Sequence, residues 1–424
     1  MKCMQIAPGV RLRLLATRKF RTNTICVLVR RPLARDEVTL NALVSMVLEM
    51  GCAKYDTAAK LAAQTERMYG AIFSCGIVKK GEEHIFQFFL EYLPRNTPLG
   101  GITDREAFEF LREVMLRPLV ADGGFDPDIV AGEKRVLSAQ IAAAKNHKAE
   151  YSRNRMLEEM CSGEPFAVSG IGYAEDVDGI TPAAAYAHYM RVLAQSPIDI
   201  MLVGDSAENT VEDICREVFG NMPRDNVRTP PMSGTVCTRA LRKNVHEHAD
   251  THQGNLAMGY RGDIPQTGGT AYALMMFNEL FGGYGSSRLF TVVRERESMA
   301  YSVSSTLYRL KSIIAVHAGV DTANFGKAAK LVQHQFADLT EGGAAAAELE
   351  NALKSLLKKY ESIKDYPGQL LEFYTMQMLQ GEQDSPDEVS NKLRAVTAQD
   401  IRRAASALGL DTIYTLGNDA EEGG

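Results

Sequence analysis

The chain has 424 residues, of which 45% are hydrophobic and 24% charged, and its formal net charge is -6. The composition is typical of a globular protein. The length corresponds to about two to four domains, which can bury a large core without disulfides or metals. The absence of an excess of positive charge argues against nucleic acid as a partner. The seven cysteines include no C-x-x-C pair, so neither a disulfide framework nor a zinc ribbon is predicted, and we expect a cytoplasmic protein.

The first twenty residues carry basic side chains throughout and contain no continuous apolar stretch. They therefore do not resemble a secretory signal peptide. No later run approaches the ~20 apolar residues that a membrane-spanning helix needs. We expect neither export nor a membrane contact.

Apolar residues alternate along 10–30, interrupted at Arg18 to Arg21, which predicts two strands. Helical spacing follows after Thr39, which can cap a helix that ends before Gly51. The further elements predicted in the first half are helices over 57–69, 104–116 and 126–159, a hairpin formed by strands 72–78 and 84–92, a helix that begins at Thr181, and a strand over 198–203.

A stretch rich in proline and glycine, 223–239, predicts a linker, after which the order of elements repeats. The helix before Gly51 has a counterpart before Gly282, an offset of 231 residues (282 − 51), and the strand that ends at Gly204 has one that ends at Gly417, an offset of 213 (417 − 204). We therefore predict an α+β fold with two similar lobes, residues 1–225 and 241–424, joined by residues 226–240. Each lobe is predicted to be a mainly antiparallel sheet with helices on one face.

The second lobe carries a specific motif. Residues 280–290 read L-F-G-G-Y-G-S-S-R-L-F, and V-R-E and M-A-Y-S-V follow at 293 and 299. This combination resembles the glycine turn, helix and R-E-x-x-x-L-A-Y-S-V segment of the insulinase/pitrilysin family of zinc metallopeptidases. The resemblance extends over nearly the whole chain and implies that the two lobes form a clamshell.

In active members of that family the first lobe carries H-x-x-E-H on a helix. The two histidines lie one turn apart and bind zinc, while the glutamate acts as general base on a metal-bound water. Counting back from Gly51 by the family's spacing places these three functional positions on Ala42, Ser45 and Met46. Ala42 and Met46 cannot replace the two histidines as zinc ligands, and Ser45 cannot replace the glutamate as general base. We therefore expect no catalytic residues, no zinc and no other cofactor.

The densest remaining group of ligand-type residues is His246, Glu247 and His248 with His252. On a strand the three histidines would share one face. The segment enters the second lobe from the linker, so we interpret it as solvated or weakly structural. An independently active metallopeptidase with zinc ligands from this cluster stays open as the alternative.

The resemblance assigns substrate contacts to Arg294 and Tyr301, whose counterparts in active relatives approach the scissile peptide from the lobe opposite the zinc. A guanidinium and a phenol there can donate hydrogen bonds to a peptide carbonyl. The alternative is a surface arginine paired with Glu297 and a half-buried tyrosine. Gly282 and Gly283 lie where non-catalytic subunits of the mitochondrial processing peptidase have a longer substrate-handling loop. Because the loop is short here, a tight turn that ends the helix is the favoured interpretation.

These features predict a non-catalytic pseudo-peptidase subunit that pairs with a catalytic insulinase-like subunit and helps to enclose a peptide or small protein substrate. The opening block resembles a bacterial subgroup associated with 5-aminopentanol modification of elongation factor P, whose members occur as catalytic and non-catalytic pairs. A purely scaffolding subunit without substrate contact is the remaining alternative.

Overall fold

The computed structural model describes residues 1–234, 243–251 and 253–418 and contains two main sheets. The strands of the first sheet are β1 (Lys2–Ala7), β2 (Val10–Ala16), β3 (Asn23–Pro32), β4 (Ile72–Lys80), β5 (Glu83–Tyr92) and β8 (Ile198–Gly204), and those of the second are β9 (Lys243–His248), β10 (Gln253–Arg261), β11 (Ser302–Tyr308), β12 (Ile313–Asp321) and β13 (Gly409–Gly417). Strands β6 (Val120–Ala121) and β7 (Gly124–Phe125) form a small separate ribbon.

The first sheet has the order β1-β2-β8-β3-β5-β4, and only its β2–β8 pair is parallel. The second has the order β9-β13-β10-β12-β11, and only its β9–β13 pair is parallel. Read in this direction, the second sheet repeats strands β2, β8, β3, β5 and β4 of the first. The predicted α+β fold with two similar, mainly antiparallel lobes is therefore confirmed.

Fourteen α-helices occur in the part of the chain that the structure describes. Those of the first half are α1 (Val38–Glu49), α2 (Ala58–Arg67), α3 (Asp104–Leu116), α4 (Pro127–Ala143), α5 (Lys148–Met160), α6 (Ala174–Val177), α7 (Pro182–Gln195) and α8 (Glu208–Phe219). Those of the second half are α9 (Gly268–Asn278), α10 (Phe325–Glu341), α11 (Ala346–Ile363), α12 (Pro367–Leu379), α13 (Pro386–Arg394) and α14 (Ala398–Ser406).

Three local predictions were wrong or incomplete. The helix predicted over 126–159 is broken at 144–147 into α4 and α5. Thr39 lies inside α1 instead of capping it, because its hydroxyl donates to Asp176 at 2.7 Å and accepts the Tyr173 amide at 3.0 Å. The edge strand β1 was not predicted, and its exposed outward side chains explain the weak pattern.

The break between α4 and α5 coincides with a change of structural unit. The first compact unit comprises residues 1–143, 168–232 and 366–375, and the second comprises 144–167, 233–365 and 376–424. Helix α5 therefore belongs to the second unit, although it precedes strand β8 of the first sheet in the chain. Conversely, the first nine residues of α12 belong to the first unit. Sequence halves and structural units therefore differ.

Helices α5 and α12 are equivalent in the duplication, since α12 begins and ends 219 residues after α5 (367 − 148 and 379 − 160). In the second unit α5 packs on β10, β12 and β13, where Met156, Leu157 and Met160 join a buried apolar cluster. In the first unit Thr375 of α12 donates a hydrogen bond to the sulfur of Met201 on β8 at 3.3 Å. Each sheet is therefore contacted by a helix from the other half of the sequence.

The predicted linker, 226–240, falls partly outside the described residues, because 235–242 are not described. Where described, 223–234 contains neither helix nor strand. No helix among residues 1–234, 243–251 and 253–418 combines the length and apolar character needed to span a membrane.

Candidate substrate-contact site and degenerate metal centre

Helix α1 is buried on almost every side. Ala42 and Ser45 are 4% and 3% exposed, and Met46 packs against the core of the first unit. The neighbouring apolar side chains explain why the helix forms here: Leu43, Val44, Val47 and Leu48 are all buried. A helix that is buried on most sides is stabilised mainly by burial and not by capping, and Glu37 at its N-terminus makes no side-chain cap.

The three degenerate motif positions do not fit a zinc ion. Ala42 has only a methyl group, the Ser45 hydroxyl already donates to the Ala42 carbonyl at 2.8 Å, and Met46 offers a thioether in an apolar contact. Hydrolytic zinc sites use imidazole, carboxylate or thiolate ligands. Among the described residues, moreover, no group of three or more His, Cys, Asp or Glu side chains could hold a metal ion.

A buried polar network adjoins the degenerate motif. The Asn41 side chain lies between two imidazoles, with its amide nitrogen 3.2 Å from His84 Nδ1 and its oxygen 2.7 Å from His188 Nε2. His84 Nε2 lies 2.9 Å from the Gly170 carbonyl, and His188 Nδ1 lies 3.0 Å from Arg191. Burial lowers the pKa of both histidines to about 4, so both are neutral at pH 7. Sequence spacing alone could not reveal this network, because its members are 43 and 147 residues apart.

Other polar residues, on α1 and β9, have structural partners. Glu49 of α1 accepts the Cys75 amide of β4 at 2.7 Å. Glu247 on β9 accepts the Tyr151 hydroxyl at 2.8 Å and a second hydrogen bond from Tyr414. His246 and His248 lie on one exposed face of β9, as the strand periodicity predicted, and His246 contacts Thr415 at 2.9 Å. His252 lies outside the described residues.

Arg294 is an exposed residue of the π-helical segment Leu289–Arg296 of the second unit. Its guanidinium carbon stacks 4.6 Å from the centroid of the Phe290 ring. Glu297, the partner considered for it in the sequence, is bound instead by Arg296 at 3.1 Å. Within the described part of the chain, Arg294 makes no hydrogen bond or ion pair, so all five of its N–H donors face solvent or a ligand.

Tyr301 directly precedes β11, the outermost strand of the second sheet. Its backbone N–H donates to the Gly319 carbonyl at 2.9 Å, which fixes the main chain, whereas the residue is 64% exposed. Arg294 and Tyr301 are separated by a turn in which Ser298 has a left-handed φ of +51°. The turn reverses the chain from the π-helical segment into β11, so both exposed donors belong to one short segment.

The glycine pair does not form a simple turn after a helix. Helix α9 ends at Asn278 and continues as a π-helical turn, Glu279–Gly283. A Cβ atom on Gly282 would lie 2.6 Å from the Ser305 amide nitrogen of β11, and one on Gly283 would lie 2.7 Å from a Glu279 carboxylate oxygen. Close packing of this turn against β11 therefore requires Gly282, and neither glycine has a left-handed φ.

The geometry defines a class of protein, a two-lobed peptidase-like fold whose metal centre is absent. Residues 179–356 match the profile described as Peptidase M16 inactive domain. A Bacillus subtilis protein described as the probable inactive metalloprotease YmfF is 31% identical over 416 residues, which cover 96% of each chain.

Solved structures agree on the fold. A conserved protein from Enterococcus faecalis V583 superposes with a TM-score of 0.91 and 25% identity over 100% of this chain and 99% of that one. A protease from Helicobacter pylori superposes with a TM-score of 0.83 and 14% identity over 98% of both chains. The chain belongs to the M16, or insulinase/pitrilysin, peptidase family, and it is an inactive, pseudo-peptidase member of it.

Proposed function

We propose that this chain is the non-catalytic subunit of a peptidase pair, in which it associates with an active M16 subunit and contacts the peptide substrate through Arg294 and Tyr301. The observation that carries the proposal is the contrast between the two candidate sites. The metal-binding positions are filled by Ala42, Ser45 and Met46, whereas the two substrate-contact positions keep donors that are exposed.

The stacking of Arg294 supports a contact role. A surface arginine commonly lies against a neighbouring carboxylate, yet here Glu297 is occupied by Arg296 and the Arg294 guanidinium is held over Phe290. Stacking restricts the side chain without using its N–H groups, because the cation interacts with the face of the ring. The donors therefore stay available, and less entropy is lost when they bind a peptide carbonyl.

Tyr301 complements Arg294. Its main chain is fixed by the hydrogen bond to Gly319, and its hydroxyl is not engaged with any residue that the structure describes. A charged donor and a neutral donor on one short segment can both donate to a carbonyl whose charge increases during peptide cleavage. The chemistry itself would be supplied by the metal centre of the partner subunit.

The experiment compares cleavage by the assembled pair with wild-type chain and with Arg294→Ala. We expect Arg294→Ala to lower kcat/KM by about 10- to 100-fold, because a hydrogen bond to a charged group contributes about 1.5–3 kcal/mol. Tyr301→Phe should lower it by about 2- to 10-fold, since it removes one neutral donor and keeps the ring.

The matched control is Arg394→Ala, because Arg394 is also an exposed helical arginine of the second unit. It should leave kcat/KM unchanged, and thermal unfolding should show that all three variants are folded. Unchanged kinetics for Arg294→Ala would support a scaffold without substrate contact. Cleavage by the purified chain alone, inhibited by a chelator and accompanied by stoichiometric zinc, would overturn the proposal altogether.

A further inference from the structure

A pocket of about 760 Å³ lies between helix α10 and the π-helical segment Leu289–Arg296 of the second unit. Its charged lining includes Arg288, Arg296, Lys327, Lys330, Asp338 and Glu348, and its apolar lining includes Val292 and Leu331. Four basic groups therefore face two acidic ones, in a chain whose formal net charge is -6. The local charge is opposite in sign to that of the whole molecule.

Both acidic groups of this pocket are already engaged. Glu348 binds the Arg288 guanidinium, with one contact at 2.9 Å, and accepts the Ala345 amide at 2.8 Å. Asp338 lies 3.2 Å from His334. The hydrogen bonds from the Arg288 guanidinium and from the Ala345 amide lower the pKa of Glu348, so this carboxylate stays ionised and paired. Arg296 is likewise paired with Glu297, at 3.1 Å, so of the four lysines and arginines that line the pocket only Lys327 and Lys330 make no ion pair within the described residues.

Lys327 and Lys330 lie in the N-terminal part of α10, at one end of the pocket. Both are exposed, they lie three residues apart and therefore on one side of α10, and within the described residues neither makes an ion pair or hydrogen bond. The first turn of α10 contains Lys327 and no acidic residue, and Asn324 makes no side-chain cap. A lysine in this position interacts unfavourably with the helix dipole, and a bound anion would offset this effect.

The shape of the pocket favours an extended ligand. Its lining follows α10 from Lys327 to Asp338, a length of about 16 Å at 1.5 Å per residue. An extended peptide covers this distance with about five residues. Aliphatic side chains in the middle and cations at one end suit a short peptide with acidic side chains at one end.

We propose that this pocket, the α10 groove, binds an acidic segment of a peptide, with Lys327 and Lys330 receiving its carboxylates. The proposal rests on the proposed function and adds to it a substrate class, since a subunit that holds peptides through this groove would prefer acidic ones. Carboxylates at exposed lysines give modest affinity and strong dependence on salt.

The test uses the full chain and two fluorescein-labelled ten-residue peptides, one with four glutamates spaced by glycine and alanine and one with glutamine in their place. In fluorescence anisotropy the glutamate peptide should bind more tightly, and its affinity should fall as salt is raised. Lys327→Gln/Lys330→Gln should weaken its binding by about 2- to 30-fold, which corresponds to two exposed ion pairs.

The matched control is Lys354→Gln/Lys358→Gln, which removes two exposed lysines from one side of α11, away from the groove lining. It should leave the affinity unchanged. Equal binding of the two peptides, or equal loss of affinity in both double variants, would overturn the inference. So would inorganic tripolyphosphate that binds through Lys327 and Lys330 when the glutamate peptide does not.

The two proposals fail in different ways. If Arg294→Ala slows cleavage by the pair while the Lys327/Lys330 variant binds the glutamate peptide as the wild type does, the substrate-contact function stands and the groove assignment is wrong. If the groove discriminates the peptides while Arg294→Ala leaves cleavage unchanged, the reverse holds.

Discussion

Single residues decide whether the family's chemistry is possible here. Ala42, Ser45 and Met46 remove the zinc ligands and the general base, and the space they leave is filled by close packing in a buried helix. By contrast Arg294 is exposed and unpaired within the described chain, although exposed arginines elsewhere, such as Arg105, are paired with carboxylates. The retained polar groups therefore lie where a peptide can reach them.

Gly282 gives a test at this scale. Gly282→Ala should destabilise the protein by about 1–3 kcal/mol, because its Cβ would lie 2.6 Å from the Ser305 amide nitrogen and 2.9 Å from a Leu289 methyl group. Urea unfolding measures the change. Gly285→Ala is the matched control in the same loop, since its Cβ would meet no atom within 4 Å, and it should change stability by less than about 0.5 kcal/mol.

At the scale of elements, the exchanged helices α5 and α12 connect the two halves of the sequence. A helix that follows α4 directly would be expected to pack on the first sheet, yet α5 packs on the second, where Met160 approaches Gly259 so closely that a Cβ there would lie 2.4 Å from the sulfur. Gly259 therefore fits the helix against β10. The stability of the second sheet depends on residues from the first half of the sequence.

This dependence predicts where a core substitution acts. Met156→Ala on α5 should destabilise by about 2–5 kcal/mol and lower hydrogen-exchange protection mainly in β10, β12 and β13. Met115→Ala on α3 is the matched control, since Met115 is equally buried in the first half but belongs to the first unit's core. It should lower protection mainly in the first sheet. The same pattern of hydrogen-exchange protection in both variants would contradict the packing of α5 on the second sheet.

At the scale of the whole molecule, buried neutral histidines link stability to pH. Burial lowers the pKa of His84, His188 and His317 to about 4. In His84 and His188, Nδ1 faces a donor, Asn41 and Arg191 respectively, so an added proton there would also lose a hydrogen bond. In the unfolded chain each of these histidines has a pKa near 6.5. Between pH 6.5 and 4 the unfolded state therefore binds more protons than the folded state.

The free energy of unfolding should therefore fall as the pH is lowered from about 6.5 to about 4, by at most about 3 kcal/mol for each of the three histidines. Urea unfolding at pH 7.5, 6 and 5 measures the slope. His188→Gln should reduce it, because glutamine can still donate to Asn41 but does not titrate. His334→Gln, at an exposed position, is the control. An unchanged slope in His188→Gln would show that His188 does not contribute.

The sequence by itself determined the duplicated α+β architecture, most strands and helices, and the loss of the metal ligands. The strands and helices follow from the local periodicity of apolar residues, and the loss of the metal ligands follows from which residues occupy the motif positions. Neither kind of information depends on contacts between distant parts of the chain. The sequence also predicted Arg294 and Tyr301 as candidate contacts, although it could not decide whether Arg294 is paired with Glu297.

Only the tertiary structure decided which groups are engaged. The Asn41 network, the exchange of α5 and α12 and the α10 groove each bring together residues far apart in the chain, such as His188 with Asn41 or Glu348 with Arg288. The reason is physical: pairing, burial and close approach are properties of neighbours in space, and a local pattern does not encode which neighbours the fold supplies.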